Sequence, residues 1–125
     1  MKRFHRSCYF SVVLRFGLAL ATALAVPHSN GVETSPRVIE ITAKRFAFSP
    51  DRITLKAGEP VRLRITSEDV THGFFMRALK IDEDITPGKA TEISLTPQTT
   101  GTFTTICDHF CGTNHGSMKM TIVVE

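Results

Sequence analysis

The sequence predicts an all-β domain, an antiparallel β-sandwich or barrel of six or seven short strands with Greek-key connections. Three observations support this prediction. Six short segments are rich in β-branched and aromatic residues or alternate between apolar and polar side chains. Turn signals that contain Pro, Gly or Asp separate these segments at close spacing. After residue 25, no stretch shows the 3.6-residue apolar period of an amphipathic helix.

The predicted strands follow one another through the second part of the chain. They cover residues 37–43, 52–56, 61–66, 90–95, 101–106 and 119–124. The turn signals between them are Ser-Pro-Asp at 49–51, Ala-Gly-Glu-Pro at 57–60, Thr-Pro-Gly at 86–88 and Thr-Thr-Gly at 99–101. Alternation is strict in Val-Arg-Leu-Arg-Ile at 61–65, which predicts a strand with its apolar side chains in a core and its two arginines in solvent.

The charge of the chain is unevenly distributed. Its formal net charge is +3, but the first 25 residues hold four basic side chains and no acidic one. The remaining residues carry 11 basic and 12 acidic side chains. The predicted domain therefore lacks the basic surface that nucleic-acid binding requires, and no nucleic-acid partner is expected.

The N-terminal segment is typical of an export signal. A basic stretch at 1–6 precedes an apolar run of eleven residues at 16–26, and Ala23-Leu24-Ala25 has the form of a cleavage site. The alternative is a single membrane anchor helix over 8–26, which would place Arg15 near the bilayer centre at a cost of about 2.5–3.5 kcal/mol. We therefore expect a signal peptide (or anchor) at 1–25, a Pro- and Gly-containing linker at 26–36 and the β-domain at 37–125. The domain is expected in the periplasm or on the outer face of the cytoplasmic membrane.

A group of soft metal ligands lies just before the last predicted strand. Cys107, Cys111, His115 and Met118 fall within twelve residues, separated by three, three and two positions. Thiolate and thioether sulfur favour copper, and imidazole suits copper or zinc. His72, 35 residues before Cys107, is a further candidate because the end of one strand in a sandwich can meet a loop that joins two later strands.

Four chemistries compete for these residues. A disulfide between Cys107 and Cys111 is the ordinary expectation for two cysteines in an exported protein, but it leaves His115 and Met118 unexplained. Tetrahedral zinc has no use for Met118. A single blue copper would take two histidines, one thiolate and an axial methionine, and would leave Cys107 over. Two coppers that share both thiolates would use every candidate.

The pattern Cys-x3-Cys-x3-His-x2-Met, with a His-Gly pair about 35 positions upstream, resembles the CuA domain of cytochrome c oxidase subunit II. The same domain occurs in nitrous oxide reductase, and the similarity looks closest to the short subunit II of the ba-type oxidases. It runs from about Phe46 through the loop to the closing Lys-Met-Thr-Ile-Val-Val-Glu. The resemblance implies a cupredoxin-like Greek-key β-sandwich that holds two copper ions.

The resemblance also implies a ligand set. Cys107 and Cys111 would bridge the two coppers. His72 and Met118 would complete the coordination of one metal. His115 and the backbone carbonyl of His109 would complete the other, so the imidazole of His109 is free to point outward.

The function implied is one-electron transfer, with no catalytic residue in this domain. A cytochrome c or a small copper protein would donate electrons, and a terminal oxidase or reductase would accept them. An alternative is the membrane-anchored subunit II of a haem-copper cytochrome c oxidase, attached through the N-terminus. A lesser alternative is a copper chaperone, since one class of copper chaperones, with a thioredoxin-like fold, also carries Cys-x3-Cys.

Overall fold

The computed structural model describes residues 35–125. The predicted signal peptide or anchor at 1–25 and nearly all of the predicted linker at 26–36 lie outside these residues. Among residues 35–125, no helix is long and apolar enough to cross a membrane.

Nine strands make up the described domain, together with two single-turn 3₁₀ helices at Arg77–Leu79 and His115–Ser117. The strands are β1 (Arg37–Lys44), β2 (Ala47–Ser49), β3 (Arg52–Leu55), β4 (Val61–Ser67), β5 (His72–Met76), β6 (Ile81–Ile85), β7 (Ala90–Leu95), β8 (Gly101–Ile106) and β9 (Lys119–Val124). The prediction of an all-β fold is confirmed.

The strands form two sheets, in the orders β2-β1-β4-β7 and β3-β9-β8-β5-β6. Most pairs are antiparallel, but β1 pairs with β4 and β3 pairs with β9 in parallel. The purely antiparallel expectation was therefore wrong at these two pairs. In each of them the chain crosses to the other sheet before it returns, which allows two strands of one sheet to run in the same direction.

Three strands were not predicted from the sequence. Strand β5 reads His-Gly-Phe-Phe-Met and is buried at four of its five positions, so it lacks the alternation that marks a half-buried strand. Strand β6 reads Ile-Asp-Glu-Asp-Ile, with three exposed acids between two buried isoleucines. Strand β2 has only three residues. Each of these strands owes its conformation to its partners in the sheet rather than to its own pattern.

The core lies between the two sheets and continues into the loop after β8. Ile41, Leu63 and Ile122 are at most 1% exposed and point inward from opposite sheets. The rings of Phe48 and Phe74 meet edge to face, with centroids 5.4 Å apart. The two cysteines and Met118 belong to the same buried cluster, so the candidate ligands lie at one end of a packed core.

Candidate metal centre

Three neighbouring strands bring the candidate ligands together. His72 is the first residue of β5, Cys107 follows β8 directly, and Met118 immediately precedes β9. Since β9, β8 and β5 are adjacent in one sheet, these positions meet at the same end of the sandwich. The backbone N–H of Cys107 donates to the carbonyl of Met118 at 3.0 Å, which closes the base of the loop at 107–118.

The side chains at the centre are almost fully buried. His72 and Met118 have no exposed surface, and the two cysteines are 3% and 4% exposed. The sulfur atoms of Cys107 and Cys111 lie 3.6 Å apart, and Nδ1 of His72 lies 3.9 Å from the sulfur of Cys107. A disulfide requires about 2.05 Å between its sulfurs, and both cysteines are free. His72, Cys107 and Cys111 thus present one nitrogen and two sulfurs within 4.8 Å of one another.

His109 contributes its backbone rather than its side chain to this cluster. Its carbonyl oxygen lies 3.1 Å from the sulfur of Cys107. Its imidazole points outward, with a side chain 44% exposed, and Nδ1 lies 3.3 Å from a carboxylate oxygen of Asp84. The carbonyl therefore lies beside the cluster and the imidazole outside it. The imidazole of His115 also lies outside the group of ligand atoms within 4.8 Å of one another, which holds only His72, Cys107 and Cys111.

His115 lies on the 3₁₀ helix of the loop, with its ring against an exposed phenylalanine. The ring centroids of His115 and Phe110 are 5.3 Å apart, and the rings meet edge to face at an interplanar angle of 65°. Nδ1 of His115 is buried, and within residues 35–125 it has no hydrogen-bond partner. A buried polar atom without a partner is costly unless it binds a group that the protein alone does not supply. This nitrogen therefore fits a metal ligand.

Asp69 orients the imidazole of His72 from behind. One carboxylate oxygen of Asp69 lies 2.7 Å from Nε2 of His72. The hydrogen bond places the proton on Nε2 and leaves the lone pair of Nδ1 facing the sulfurs, the arrangement by which carboxylates commonly fix metal-binding histidines. Sequence analysis did not identify Asp69. The available signal was an acid three residues before a candidate ligand.

The environment of Asp69 keeps this carboxylate ionised. Burial raises the pKa of Asp69, but hydrogen bonds from the backbone N–H of Arg45, from His72 and from the backbone N–H of Val70 outweigh it. The net result is a pKa well below the ordinary value of a carboxyl group. Asp69 remains an acceptor for His72 across the neutral range.

Asp69→Ala is expected to lower copper affinity about 10- to 100-fold, because loss of an outer hydrogen-bond partner frees the ring and tautomer of the ligand it holds. Competition with a copper chelator measures the affinity. Asp82→Ala removes an exposed acid of β6 and is the matched control. Equal copper affinity in both variants would contradict the role of Asp69.

Two glycines allow the loop to approach the sheet closely. A Cβ atom on Gly73 would lie against the carboxylate of Asp108 and 2.6 Å from the backbone nitrogen of His109. The backbone N–H of Gly73 instead donates to the sulfur of Cys107 at 3.4 Å. Gly112 has a φ of +142°, and a Cβ atom there would lie 2.9 Å from the ring of Phe46. Both positions favour glycine for steric reasons.

Burial raises the pKa of the Cys111 thiol from 9.0 to about 11, and the neighbouring thiol of Cys107 adds to the effect. In the metal-free protein this thiol therefore keeps its proton at neutral pH, and a metal must displace that proton on binding.

The free energy of unfolding of the metal-free protein is expected to fall as the pH rises from 9.0 towards about 11. The unfolded chain loses the Cys111 proton at the lower of these values and the folded protein at the higher one, so alkali favours the unfolded state. Urea unfolding in a reducing buffer with a chelator measures this. Cys111→Ser lacks the titrating thiol, and an identical pH dependence in that variant would contradict the assignment.

Comparisons with known proteins identify the family of this domain. The family of cupredoxin-like domains matches residues 15–124. Cytochrome c oxidase subunit 2 of Thermus thermophilus is 32% identical over 103 residues, which cover 81% of this chain and 76% of that protein. Nitrous-oxide reductase of Cupriavidus necator is 30% identical over 109 residues, which cover 82% of this chain but only 17% of the reductase.

A solved structure shows the same fold. The periplasmic domain of subunit II of cytochrome oxidase from Bradyrhizobium japonicum matches with a TM-score of 0.67 at 22% identity. The match covers 75% of this chain and 87% of that domain. The chain therefore belongs to the cupredoxin-like domain family, and its homologues include subunit II of cytochrome c oxidase and nitrous-oxide reductase.

Proposed function

We propose that this domain transfers single electrons through a binuclear copper centre. The proposed ligands lie in or next to the loop at 107–118 and at the start of β5: His72, Cys107, the backbone carbonyl of His109, Cys111, His115 and Met118. Copper supplies the one-electron redox change. The protein supplies soft, buried ligands and holds them in place.

One observation supports this proposal most directly. Two free, buried thiols lie 3.6 Å apart, and both face the same small space as Nδ1 of His72 and the carbonyl of His109. A single copper has use for only one thiolate in a blue site. Two sulfurs at this separation can each contact two metals, which accounts for both cysteines at once.

The competing chemistries fit the residues less well. The two cysteines are free in this structure, and a disulfide between them would leave His115 and Met118 without a role. Zinc has no use for the buried Met118, since its usual ligands are cysteine, histidine and carboxylate. The chaperone alternative implied a thioredoxin-like fold, whereas this domain is a nine-stranded β-sandwich.

The surroundings of the ligands suit electron transfer rather than substrate binding. Asp69 fixes the ring of His72, and the N–H of Gly73 donates to the sulfur of Cys107. Both contacts favour ligand positions that stay the same in the two redox states, which keeps reorganisation small. The ligand side chains of His72, Cys107, Cys111 and Met118 are at most 4% exposed, which leaves little room for a substrate.

Copper reconstitution of the metal-free protein tests the proposal. We expect two coppers per chain by metal analysis and an EPR spectrum of seven hyperfine lines, because one unpaired electron shared by two equivalent copper nuclei produces that number. One copper per chain with four lines would replace the proposal by a single-copper site. Failure to bind copper at all would reject both.

The partners follow from the same proposal. A cytochrome c or small copper protein would donate electrons on the periplasmic side, and a terminal oxidase or reductase would accept them.

The homologous protein of Thermus thermophilus, of which this chain spans 76%, supports a second candidate, subunit II of a cytochrome c oxidase. Isolation of the tagged protein from its native cells, with N-terminal sequencing, separates the two. A start near Val26 without bound haem protein supports the free carrier, and a retained N-terminus with co-purified haem protein supports the subunit.

A further inference from the structure

Arg45, in the turn between β1 and β2, contacts both ligand-bearing segments of the candidate centre. Its backbone N–H donates to one carboxylate oxygen of Asp69 at 2.9 Å. Its side-chain Nε donates to the backbone carbonyl of Cys111 at 2.7 Å. The two contacts reach 24 and 66 residues along the chain. Arg45 is not a candidate ligand, yet it connects Asp69, which holds the ring of His72, with the peptide group of Cys111.

The next residue strengthens the same contact. The ring of Phe46 lies so close to Gly112 that a Cβ atom there would be 2.9 Å from two of its ring carbons. Arg45 holds Cys111 by a hydrogen bond, and Phe46 packs against Gly112. Together they fix residues 111–112 of the loop against the turn between β1 and β2.

The guanidinium of Arg45 brings a positive charge that makes no ion pair with a carboxylate of residues 35–125. Within residues 35–125, no carboxylate oxygen lies within 4.0 Å of its side-chain nitrogens, although four ion pairs of lysine or arginine occur elsewhere in the domain. The side chain lines an open cleft of about 420 Å³ beside the loop, together with Phe110 and Gly112. Arg45 as a whole is exposed, so solvent and salt screen its charge, while the hydrogen bond holds the guanidinium next to the peptide of Cys111.

We propose that Arg45 positions the Cys111 side of the copper centre and raises its reduction potential. This inference rests on the proposed function. Reduction adds one negative charge to the centre, so a fixed cation next to the Cys111 peptide stabilises the reduced state more than the oxidised state. The same hydrogen bond restrains the loop, so its loss lets the buried thiols open to solvent more often.

Two variants of Arg45 separate charge from hydrogen bonding. Arg45→Gln keeps a donor and loses the charge, whereas Arg45→Lys keeps the charge. Arg37→Gln removes an equal charge from the other end of β1, about 26 Å away at 3.3 Å per residue. Potentiometric titration of the copper-loaded proteins should show a lower potential for Arg45→Gln alone, with a difference from the wild type that shrinks as salt is added.

A second readout does not depend on copper. Alkylation of Cys107 and Cys111 in the reduced, metal-free protein should be several-fold faster in Arg45→Lys than in Arg37→Gln, at equal stability towards urea, because lysine has a carbon where Arg45 has its donating Nε. Arg45→Gln keeps a nitrogen donor at that position and should be alkylated at the rate of Arg37→Gln. A potential of Arg45→Gln and an alkylation rate of Arg45→Lys that both equal those of Arg37→Gln would overturn the inference. Loss of the copper centre in Arg45→Lys together with fast alkylation would support the positioning role. A wild type that binds no copper pair would contradict the proposed function, while the alkylation rates still decide whether Arg45 restrains the loop.

Discussion

Cys107→Ser is expected to abolish the proposed two-copper centre while the β-sandwich stays folded. The hydroxyl of serine is a poor ligand for copper, so the variant loses one of the two sulfurs that are proposed to bridge the metals. Copper content should fall from two ions to at most one per chain, and the seven-line EPR spectrum should disappear. Metal analysis and EPR after reconstitution measure both effects.

The outcome also separates the two copper hypotheses. A single blue copper built on Cys111, His72, His115 and Met118 would give the same copper content and the same four-line spectrum in the wild type and in Cys107→Ser. A variant unchanged from the wild type in both measurements would contradict the proposed centre. Thr113→Ser changes an exposed residue of the same loop and should keep both coppers, which controls for disturbance of the loop.

Gly73→Ala should destabilise the domain and prevent copper loading at the same time. The added methyl would lie against the carboxylate of Asp108 and within 2.8 Å of the backbone nitrogens of Asp108 and His109. Because two of these neighbours are backbone atoms, the loop must move away from β5, and overpacking of this kind costs about 1–3 kcal/mol. The same movement would separate the sulfur of Cys107 from Nδ1 of His72.

The loop offers a close control for this variant. At Gly116 nothing lies within 4 Å of an added Cβ atom, so Gly116→Ala should leave stability and copper content unchanged. Urea unfolding of the metal-free proteins measures stability, and metal analysis measures copper. Equal stability and copper content for the two variants would show that the loop does not depend on close packing against Gly73.

The sequence predicted those strands whose two faces differ. In β4, buried Val61, Leu63 and Ile65 alternate with more exposed residues, and this alternation appears in the amino-acid order. Strand β5 could not be predicted in this way, because both of its faces are covered and its only sign is a short apolar run. The parallel pairs β1–β4 and β3–β9 depend on how the chain crosses between sheets, which no local pattern records.

The candidate site, like the strands, could be predicted only in part from the sequence. Spacing alone grouped the two cysteines, His115 and Met118, since a loop of twelve residues keeps them close wherever it folds. His72 could be added because the His-Gly pair upstream resembles a known family. Arg45 could not be found, since its contact with Cys111 spans 66 residues and uses a backbone carbonyl that any residue would supply.

The parallel pairing of β3 with β9 has a consequence for the order of folding. Strand β9 closes the loop at 107–118 by pairing with β8, and it also joins residues 121–124 with residues 52–55, far earlier in the chain. Contacts between such distant residues form slowly, because a long segment must first lose its conformational freedom. All six candidate ligands are synthesised before β9. The two thiols are therefore not buried until β9 has paired, and we expect copper to load after folding rather than onto a growing chain.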